Sequence, residues 1–266
     1  MNSTASIHVE LQGALAVLSL TQATRGNPID GDFARDFRAI AGDLLNAHAA
    51  GTVRSVLLRG EGPNFSYGGD LKSMYPVRDR LGEMVREWTA DLHMGLQRFW
   101  QLPVPVVCAV QGFAMGGGLA VAAGADVVLG GASSRYGSAF TQLGFSCDSG
   151  SSATLTARMG PARARRFVLL AEIIDSAEAL QCGLIDRVLP DDQVQAEALA
   201  LATKLASGPT LAYGEVKRLF LKAGMAQLSA QLEDEAMTLG RVAASADAQE
   251  GVAAMIERRK PAFGGR

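Results

Sequence analysis

Cysteine is scarce in this chain, which has only 3 in 266 residues. The number is odd and the three lie far apart, which does not support a framework of disulfides. We therefore expect Cys108, Cys147 and Cys182 to be buried thiols. The N-terminal segment "MNSTASIHVE" also lacks the basic start and apolar core of a secretory signal peptide. The cytoplasm is therefore the expected location.

An excess of charge of either sign is also missing. Lys and Arg together number 25 and Asp and Glu 27, which gives a formal net charge of −2. This balance offers no electrostatic basis for binding nucleic acid or an acidic membrane surface. The stretch 103–125 has no charged residue and is long enough to cross a bilayer, but prolines and a glycine cluster interrupt it. A strand, a turn and a buried helix fit it better, so no membrane is expected as a partner.

Histidine is as scarce as cysteine, and the motifs of several enzyme classes are missing. His8, His48 and His93 lack metal-ligand spacing to one another or to the cysteines, so no metal site is expected. The chain lacks a dinucleotide fingerprint, a phosphate loop ending in Gly-Lys-Ser/Thr and a G-x-S-x-G nucleophile elbow. Each histidine is therefore interpreted as a surface or packing residue.

What the chain does have is a regular alternation of strand and helix patterns. The runs "SIHVEL" and "ALAVLSL" predict a β-hairpin, and "SVLLRG", "VPVVCAV" and "DVVLGG" predict buried strands. Apolar residues at helical spacing predict amphipathic helices over about 30–50 and 82–101. This alternation predicts an α/β fold with parallel strand pairing. From about Asp191 onward only helical patterns occur, which predicts a helical C-terminal region.

Two glycine-bearing loops, each after a predicted strand, are the main candidates for a site. The first, "QGFAMGGGLA", places three glycines where a helix begins, and the unpaired N–H groups there point at an approaching oxygen. That is the geometry of an oxyanion hole, although close helix–strand packing would also favour small residues. The second, "NFSYGGDL", is an ordinary turn if taken alone. Together the two loops could supply one N–H each to the same oxygen.

The order of several motifs resembles that of the crotonase (enoyl-CoA hydratase/isomerase) superfamily. The motifs are "RGNPID", "NFSYGGDLKSM", "PVPVVCAVQGFAMGGGLAVAAGADVV", "LGFSCDSGSS", "SAEALQCGLIDRVLP" and "EGVAAMIERRKPAF". The resemblance implies a spiral of ββα turns over 1–200 and a helical region over 201–266 that mediates contacts in a homotrimer or dimer of trimers. It also implies an acyl-CoA substrate. No cofactor is expected apart from the coenzyme A of that thioester.

The resemblance assigns positions for binding this thioester. The two N–H groups of the oxyanion hole fall on Gly69 and Gly117, where an enolate oxygen would be stabilised. Other positions fall where the family contacts the nucleotide, the phosphates or the pantetheine arm, or reaches a neighbouring subunit's CoA: Arg25, Ser66, Asp70, Lys72, Arg258 and Lys260. For each basic residue the alternative is a solvated surface charge.

The resemblance also shows where acids and bases are missing. The two glutamates of the hydratases fall on Ala120 and Phe140, so hydration by two glutamates is not expected. Asp148, in "LGFSCDSGSS", is either the N-cap of the next helix or the catalytic aspartate of some isomerases and dehalogenases of the superfamily. We expect it to be a catalytic residue that shifts a proton, in a pocket that Phe140 keeps dry.

The expected reaction is isomerisation of an enoyl-CoA. Within the superfamily the chain is most similar to ring-epoxide-CoA isomerases of phenylacetate degradation and to enoyl-CoA isomerases. Hydration with Asp148 and an ordered water, and thioester hydrolysis at the same site, are alternatives. A non-catalytic acyl-CoA-binding protein is the alternative of another class.

Overall fold

The structure, a computed structural model, describes residues 3–225 and 227–265. Within this part of the chain there are eleven β-strands and eleven α-helices. The strands are β1 (Ile7–Gln12), β2 (Leu15–Leu20), β3 (Pro28–Ile29), β4 (Ser55–Gly60), β5 (Gly68–Gly69), β6 (Val106–Val110), β7 (Phe113–Met115), β8 (Val127–Gly131), β9 (Arg135–Gly137), β10 (Ile173–Asp175) and β11 (Arg187–Leu189). The helices are α1 (Gly31–Ala49), α2 (Leu71–Met74), α3 (Leu81–Trp100), α4 (Gly116–Ala123), α5 (Ser151–Met159), α6 (Pro161–Leu169), α7 (Ser176–Gln181), α8 (Val194–Ala206), α9 (Thr210–Gly224), α10 (Leu228–Ala243) and α11 (Ala246–Glu257).

A six-stranded sheet in the order β1-β2-β4-β6-β8-β11 forms the centre of the fold. β1 and β2 form the predicted antiparallel hairpin, and every other neighbouring pair in this sheet is parallel. Along β2 the side chains alternate, so Ala16 and Leu18 join the core with α1 and α3. Leu15 and Val17 join the core with α8 on the other face. Both faces are covered, as expected for parallel strands that read as continuous apolar runs.

The described part of the chain repeats one pattern four times. A strand of the large sheet (β2, β4, β6 or β8) is followed by a short strand (β3, β5, β7 or β9) and then by a helix. The short strands pair in two smaller sheets, β3-β5 and β10-β9-β7. This repetition confirms the predicted spiral of ββα turns. It also brings the segments after β4 and β6 side by side, because Ser66 bridges to Ala114.

The two long helices predicted from apolar spacing are confirmed as α1 and α3. The Asp30 carboxylate accepts the N–H of Phe33 at 3.0 Å and so caps the start of α1. α1 packs on α3, where the rings of Phe37 and Phe99 lie 5.0 Å apart. This contact fixes α3 beside the large sheet, and α3 carries a residue that matters below.

After β11 the described chain is helical, as predicted. α8 packs on the large sheet through Val194, Ala198 and Ala202, whereas α9 exposes Leu211 and Phe220. The predicted boundary between residues 200 and 201 falls inside α8, and the division into a core and a helical region stays a prediction. The same holds for the trimer or dimer of trimers.

The uncharged stretch 103–125 forms β6, β7 and α4, in line with the prediction of a strand, a turn and a helix. Among the described residues, no helix is both long enough and apolar enough to cross a membrane.

Candidate active site

A cavity of about 590 Å³ lies where the glycine loops meet the loop before α5. β3, β5, the first turn of α4, α3, α10 and α11 also contribute to its lining. Much of the lining is apolar, with contributions from Val85, Trp88, Leu92, Phe140, Phe145 and Leu239. A concave, mainly apolar cavity with a few polar groups is what a small-molecule site requires.

One side of the cavity, here called the glycine wall, consists of Gly68, Gly69, Gly116 and Gly117. Gly68 has a φ of +81°, and a Cβ atom there would lie 2.7 Å from the carbonyl oxygen of Met115. Such a Cβ would also lie 3.3 Å from the Gly117 nitrogen. Only glycine therefore allows β5 to approach the start of α4 this closely.

The N–H of Gly117 belongs to the first turn of α4, where N–H groups have no acceptor within the helix. A Cβ on Gly118 would lie 2.4 Å from the Ser66 Oγ, and one on Gly117 would lie 2.8 Å from the Ser149 Oγ. The consecutive glycines therefore let the helix approach two serines closely. The cavity lies against both Gly69 and Gly117, whose role as oxyanion donors stays a prediction.

Asp148 also lines the cavity, and its side chain is held by a buried histidine. Its Oδ1 lies 2.9 Å from the Nε2 of His93 on α3, and the Nδ1 of His93 lies 2.8 Å from the carbonyl oxygen of Leu232 on α10. A carbonyl oxygen only accepts, so Nδ1 carries a proton and donates it. The bond between Nε2 and Oδ1 then needs one further proton, which His93 and Asp148 share.

The charge balance around His93 favours its protonated form. Burial opposes a charge there, but the hydrogen bond to Asp148 and the charges of Asp148 and Glu235 outweigh it and raise the pKa of His93. His93 is therefore buried, as the packing interpretation expects, but it is not isolated. Its partner lies 55 positions away in the sequence.

The side chain of Asp148 does not cap α5, so that alternative is wrong. The N-cap residue of α5 is Gly150, which has no side chain that could accept a helix N–H. The carboxylate of Glu235, on α10, takes this role instead, with the N–H groups of Gly150 and Ser152 at 2.7 and 2.8 Å. Burial raises the pKa of Glu235, since the group is almost fully enclosed.

His93, Asp148 and Glu235 are here called the aspartate cluster. One nitrogen or oxygen of each lies within 4.8 Å of the others, a spacing that would suit a cation. Both His93 nitrogens and both Glu235 oxygens already take part in hydrogen bonds. A cation would have to replace those bonds, so the geometry fits a hydrogen-bonded network better.

The predicted CoA-binding residues near the cavity form a small charged group. Arg25 lies 2.8 Å from an oxygen of Asp30 and also bonds Asp70, so two carboxylates already engage its guanidinium. Asp70 caps α2 by accepting the N–H of Lys72 at 3.1 Å. The side chain of Lys72 is exposed beside the cavity.

The remaining predicted residues differ in position. Phe140 lines the cavity, whereas Ala120 is fully buried within α4 and is not part of the lining. Ser66 is fully buried too, and its Oγ donates to the Asn27 carbonyl at 2.7 Å. Two others, Arg258 and Lys260, are exposed beyond α11 and do not line the cavity in this chain. The roles predicted for all of them stay predictions.

Comparison with known proteins decides the family. The sequence model of the enoyl-CoA hydratase/isomerase family matches residues 10–266, which is nearly the whole chain. The chain belongs to the enoyl-CoA hydratase/isomerase family. Among solved structures, the chain is similar to an enoyl-CoA hydratase from Mycobacterium avium subsp. paratuberculosis, with a TM-score of 0.86. The two sequences are 29% identical, and the match covers 98% of this chain and 99% of that one.

Relatives in this family carry names of two different activities. A probable enoyl-CoA hydratase of Rhodobacter capsulatus is 36% identical over 98% of both chains. A 1,2-epoxyphenylacetyl-CoA isomerase of Escherichia coli is 34% identical over 81% of this chain and 82% of its own. Both names refer to a CoA thioester, which agrees with the expected substrate class. The names do not distinguish between a hydratase and an isomerase.

Sequence reasoning missed His93 and Glu235, although a signal for both was present. His93 follows Leu92 on the buried face of α3, and Glu235 lies between Leu232 and Leu239 on the buried face of α10. An ionisable residue on an apolar helix face requires a polar partner, because its burial is otherwise costly. That requirement indicates that His93 and Glu235 each have a buried polar partner, but it does not identify the partner.

Proposed function

We propose that this member of the enoyl-CoA hydratase/isomerase family isomerises an acyl-CoA thioester, by shifting a double bond or opening a strained ring. One observation carries the proposal. Of the three carboxylates that line the cavity in the described part of the chain, Asp30 and Asp70 are bound to Arg25. Asp148 is the third, and no described residue bonds its Oδ2. It is therefore the carboxylate best placed to take a proton from a substrate.

In the double-bond shift, the proposed reaction begins with removal of a proton from a carbon of the acyl chain. Asp148 accepts that proton, and the electron pair of the broken C–H bond moves onto the thioester oxygen, forming an enolate. The N–H groups of Gly69 and Gly117 stabilise this oxygen, and removing one such donor typically costs about 2.7–4 kcal/mol. Asp148 then returns the proton to a different carbon, which completes the isomerisation without any further reactant.

His93 supports this role through the shared proton. When that proton resides on Nε2, Asp148 is a carboxylate and can act as a base, and the imidazolium compensates its charge in apolar surroundings. The Nδ1 bond to Leu232 fixes the ring, so Asp148 stays oriented by one oxygen while the other remains available. We class His93 as a positioning residue because it acts through Asp148.

The residues at the two glutamate positions of the hydratases also support isomerisation. Ala120 and Phe140 carry no ionisable group, so neither can move a proton. Phe140 covers part of the cavity lining with an aromatic ring, which disfavours an ordered water there. A single carboxylate suits a reaction in which the proton that leaves is the proton that returns.

Hydration is the second candidate. The pair of Asp148 and His93 could orient and activate a water molecule, since together they can both accept and donate a proton. The Rhodobacter capsulatus relative, named as a probable enoyl-CoA hydratase, favours the same alternative. A hydratase of this kind would use one carboxylate and an imidazole in place of two glutamates.

We also propose that the protein assembles into a homotrimer or a dimer of trimers. α9 exposes Leu211, Leu219 and Phe220, with 82%, 57% and 76% of their surfaces accessible. Contacts with a neighbouring subunit would bury such exposed apolar side chains. Light scattering at micromolar concentration tests the assembly, and a stable monomer would contradict it.

A panel of enoyl-CoA thioesters, with chromatography and mass detection of all products, tests the function. Isomerisation predicts a product of unchanged mass, and in deuterated water it predicts exchange of protons on the acyl chain. Hydration predicts a gain of one water, and hydrolysis predicts free CoA. Tight binding of every thioester without turnover would contradict catalysis and support an acyl-CoA-binding protein.

A further inference from the structure

Ser149, next to Asp148 in the chain, has an unusual backbone conformation. Its φ is +57°, in the left-handed region that residues other than glycine rarely adopt. Such a conformation is unfavourable for a residue with a Cβ and persists only when its surroundings hold it. Here they do, because His93 holds Asp148 on one side and Glu235 holds the Gly150 N–H on the other.

The hydroxyl of Ser149 is fully buried and lacks a hydrogen-bond partner among the described residues. A buried hydroxyl left without a hydrogen bond destabilises the folded protein. The Oγ nevertheless has a defined neighbour, because it lies 2.8 Å from the position that a Cβ on Gly117 would occupy. Ser149 also lines the cavity.

We propose that the Ser149 hydroxyl is a third hydrogen-bond donor to the thioester oxygen, beside the N–H groups of Gly69 and Gly117. The inference rests on the function proposed above. The Gly117 N–H is a donor only, so the group that can satisfy it and the neighbouring hydroxyl together is an acceptor oxygen. The acyl oxygen of the substrate has that chemistry.

The number of lone pairs on the thioester oxygen determines at which stage of the reaction Ser149 donates to it. A neutral carbonyl oxygen has two lone pairs, which the two backbone N–H groups satisfy. An enolate oxygen gains a third lone pair and a negative charge, and Ser149 donates to it. The hydroxyl therefore stabilises the enolate more than the bound substrate, and such a difference raises kcat without tightening substrate binding.

The test compares Ser149→Ala with Ser151→Ala. Ser151 is equally buried and two positions away, but does not line the cavity. Since a hydrogen bond to a charged group is worth about tenfold to a hundredfold, Ser149→Ala should lower kcat by that factor. Its affinity for a saturated acyl-CoA should stay unchanged. Ser151→Ala should match the wild type in both measurements.

Ser149→Gly guards against an effect of the backbone. Glycine tolerates the left-handed conformation, so this variant removes the hydroxyl and relieves the strain. We expect it to fold at least as stably as the wild type and to lose kcat as Ser149→Ala does. Full kcat in Ser149→Gly would overturn the inference.

A readout without turnover separates this inference from the proposed function. The apparent pKa of a bound 3-oxoacyl thioester, acetoacetyl-CoA, is followed by the absorbance of its enolate. Ser149→Ala should raise that pKa by about one to two units, equivalent to the same tenfold to hundredfold loss. If the wild type lowers this pKa and Ser149→Ala lowers it equally, Ser149 is not a donor. If the wild type itself does not lower it, the oxyanion site of the proposed function is wrong, and this inference falls with it.

Discussion

The glycine wall and Asp148 of the aspartate cluster line the same cavity, but the wall and the cluster are built in opposite ways. The glycine wall presents backbone N–H groups, and its geometry follows from local features such as the positive φ of Gly68 and the start of α4 at Gly116. The aspartate cluster consists of side chains from separate elements, with His93 on α3, Asp148 on a loop and Glu235 on α10. Each half of the backbone site is thus shaped by a short segment, whereas the meeting of the two halves and the whole acid–base site depend on how distant elements pack.

The largest effect expected in this comparison is that of removing the base. Asp148→Asn keeps the shape of the side chain and can still accept a hydrogen bond from His93, but it cannot take a proton. We expect turnover to fall by about a hundredfold to ten-thousandfold, while affinity for a saturated acyl-CoA is retained.

Steady-state kinetics and deuterium exchange on the acyl chain check this prediction. Asp32→Asn, at an exposed position on α1, is the matched control and should leave both rates unchanged. Near-normal isomerisation and exchange in Asp148→Asn would show that the aspartate cluster does not perform the chemistry.

The glycine wall should be nearly as sensitive, for a steric reason. In Gly68→Ala the new methyl group meets the Met115 carbonyl oxygen at 2.7 Å, and the left-handed φ adds about 1–2 kcal/mol of strain. Displacing the neighbouring Gly117 N–H should lower kcat/KM by up to about a hundredfold. Gly42→Ala, where the nearest atom lies 3.9 Å away, is the control for a glycine without such contacts. Equal kinetics and thermal stability in the two variants would contradict this account of the wall.

Glu235 tests the aspartate cluster through stability. The N–H groups of Gly150 and Ser152 bond different carboxylate oxygens, so in Glu235→Gln one of them faces the amide NH₂ group instead of an acceptor. We expect the free energy of unfolding to drop by about 1–3 kcal/mol, with a smaller loss of kcat than in Asp148→Asn. Glu233→Gln, at an exposed position of the same helix, should leave both quantities unchanged. Denaturant unfolding measures the difference, and equal stability of the two variants would refute the capping role.

The smallest expected effect is the dependence of stability on pH through His93. Its pKa is raised in the folded state, so the resulting stabilisation is fully present below the unfolded-state value of about 6.5. That stabilisation is lost as the pH rises through the higher folded-state value. The difference in unfolding free energy between wild type and His93→Gln should therefore be largest, about 1 kcal/mol, at acidic pH and should shrink on the alkaline side.

Denaturant unfolding at a series of pH values measures this difference. His8→Gln, at an exposed position of β1, should show no comparable trend. A difference that grows with rising pH would mean that His93 is neutral beside Asp148.

Much of the fold was predictable because it depends on local periodicity. Alternating apolar residues predicted β1 and β2, helical spacing predicted α1 and α3, and the structure confirms these four elements. The spiral arrangement came from the resemblance to a family, not from the patterns themselves. Patterns of period 2 or 3.6 indicate which face of an element is buried, but not which element it meets.

The candidate site was predictable on one side only. The sequence marked the two glycine loops, because glycine has no Cβ and so indicates close approach or left-handed backbone. The family resemblance singled out Gly69 and Gly117, and the structure shows that the two loops meet. The sequence also marked Asp148, through a motif. Tertiary structure alone decided that His93 and Glu235 join Asp148, that Ala120 lies outside the cavity and that the Ser149 hydroxyl faces Gly117. The partner of a buried side chain depends on how elements 55 to 85 positions apart in the sequence pack together. A short stretch of sequence does not determine that packing.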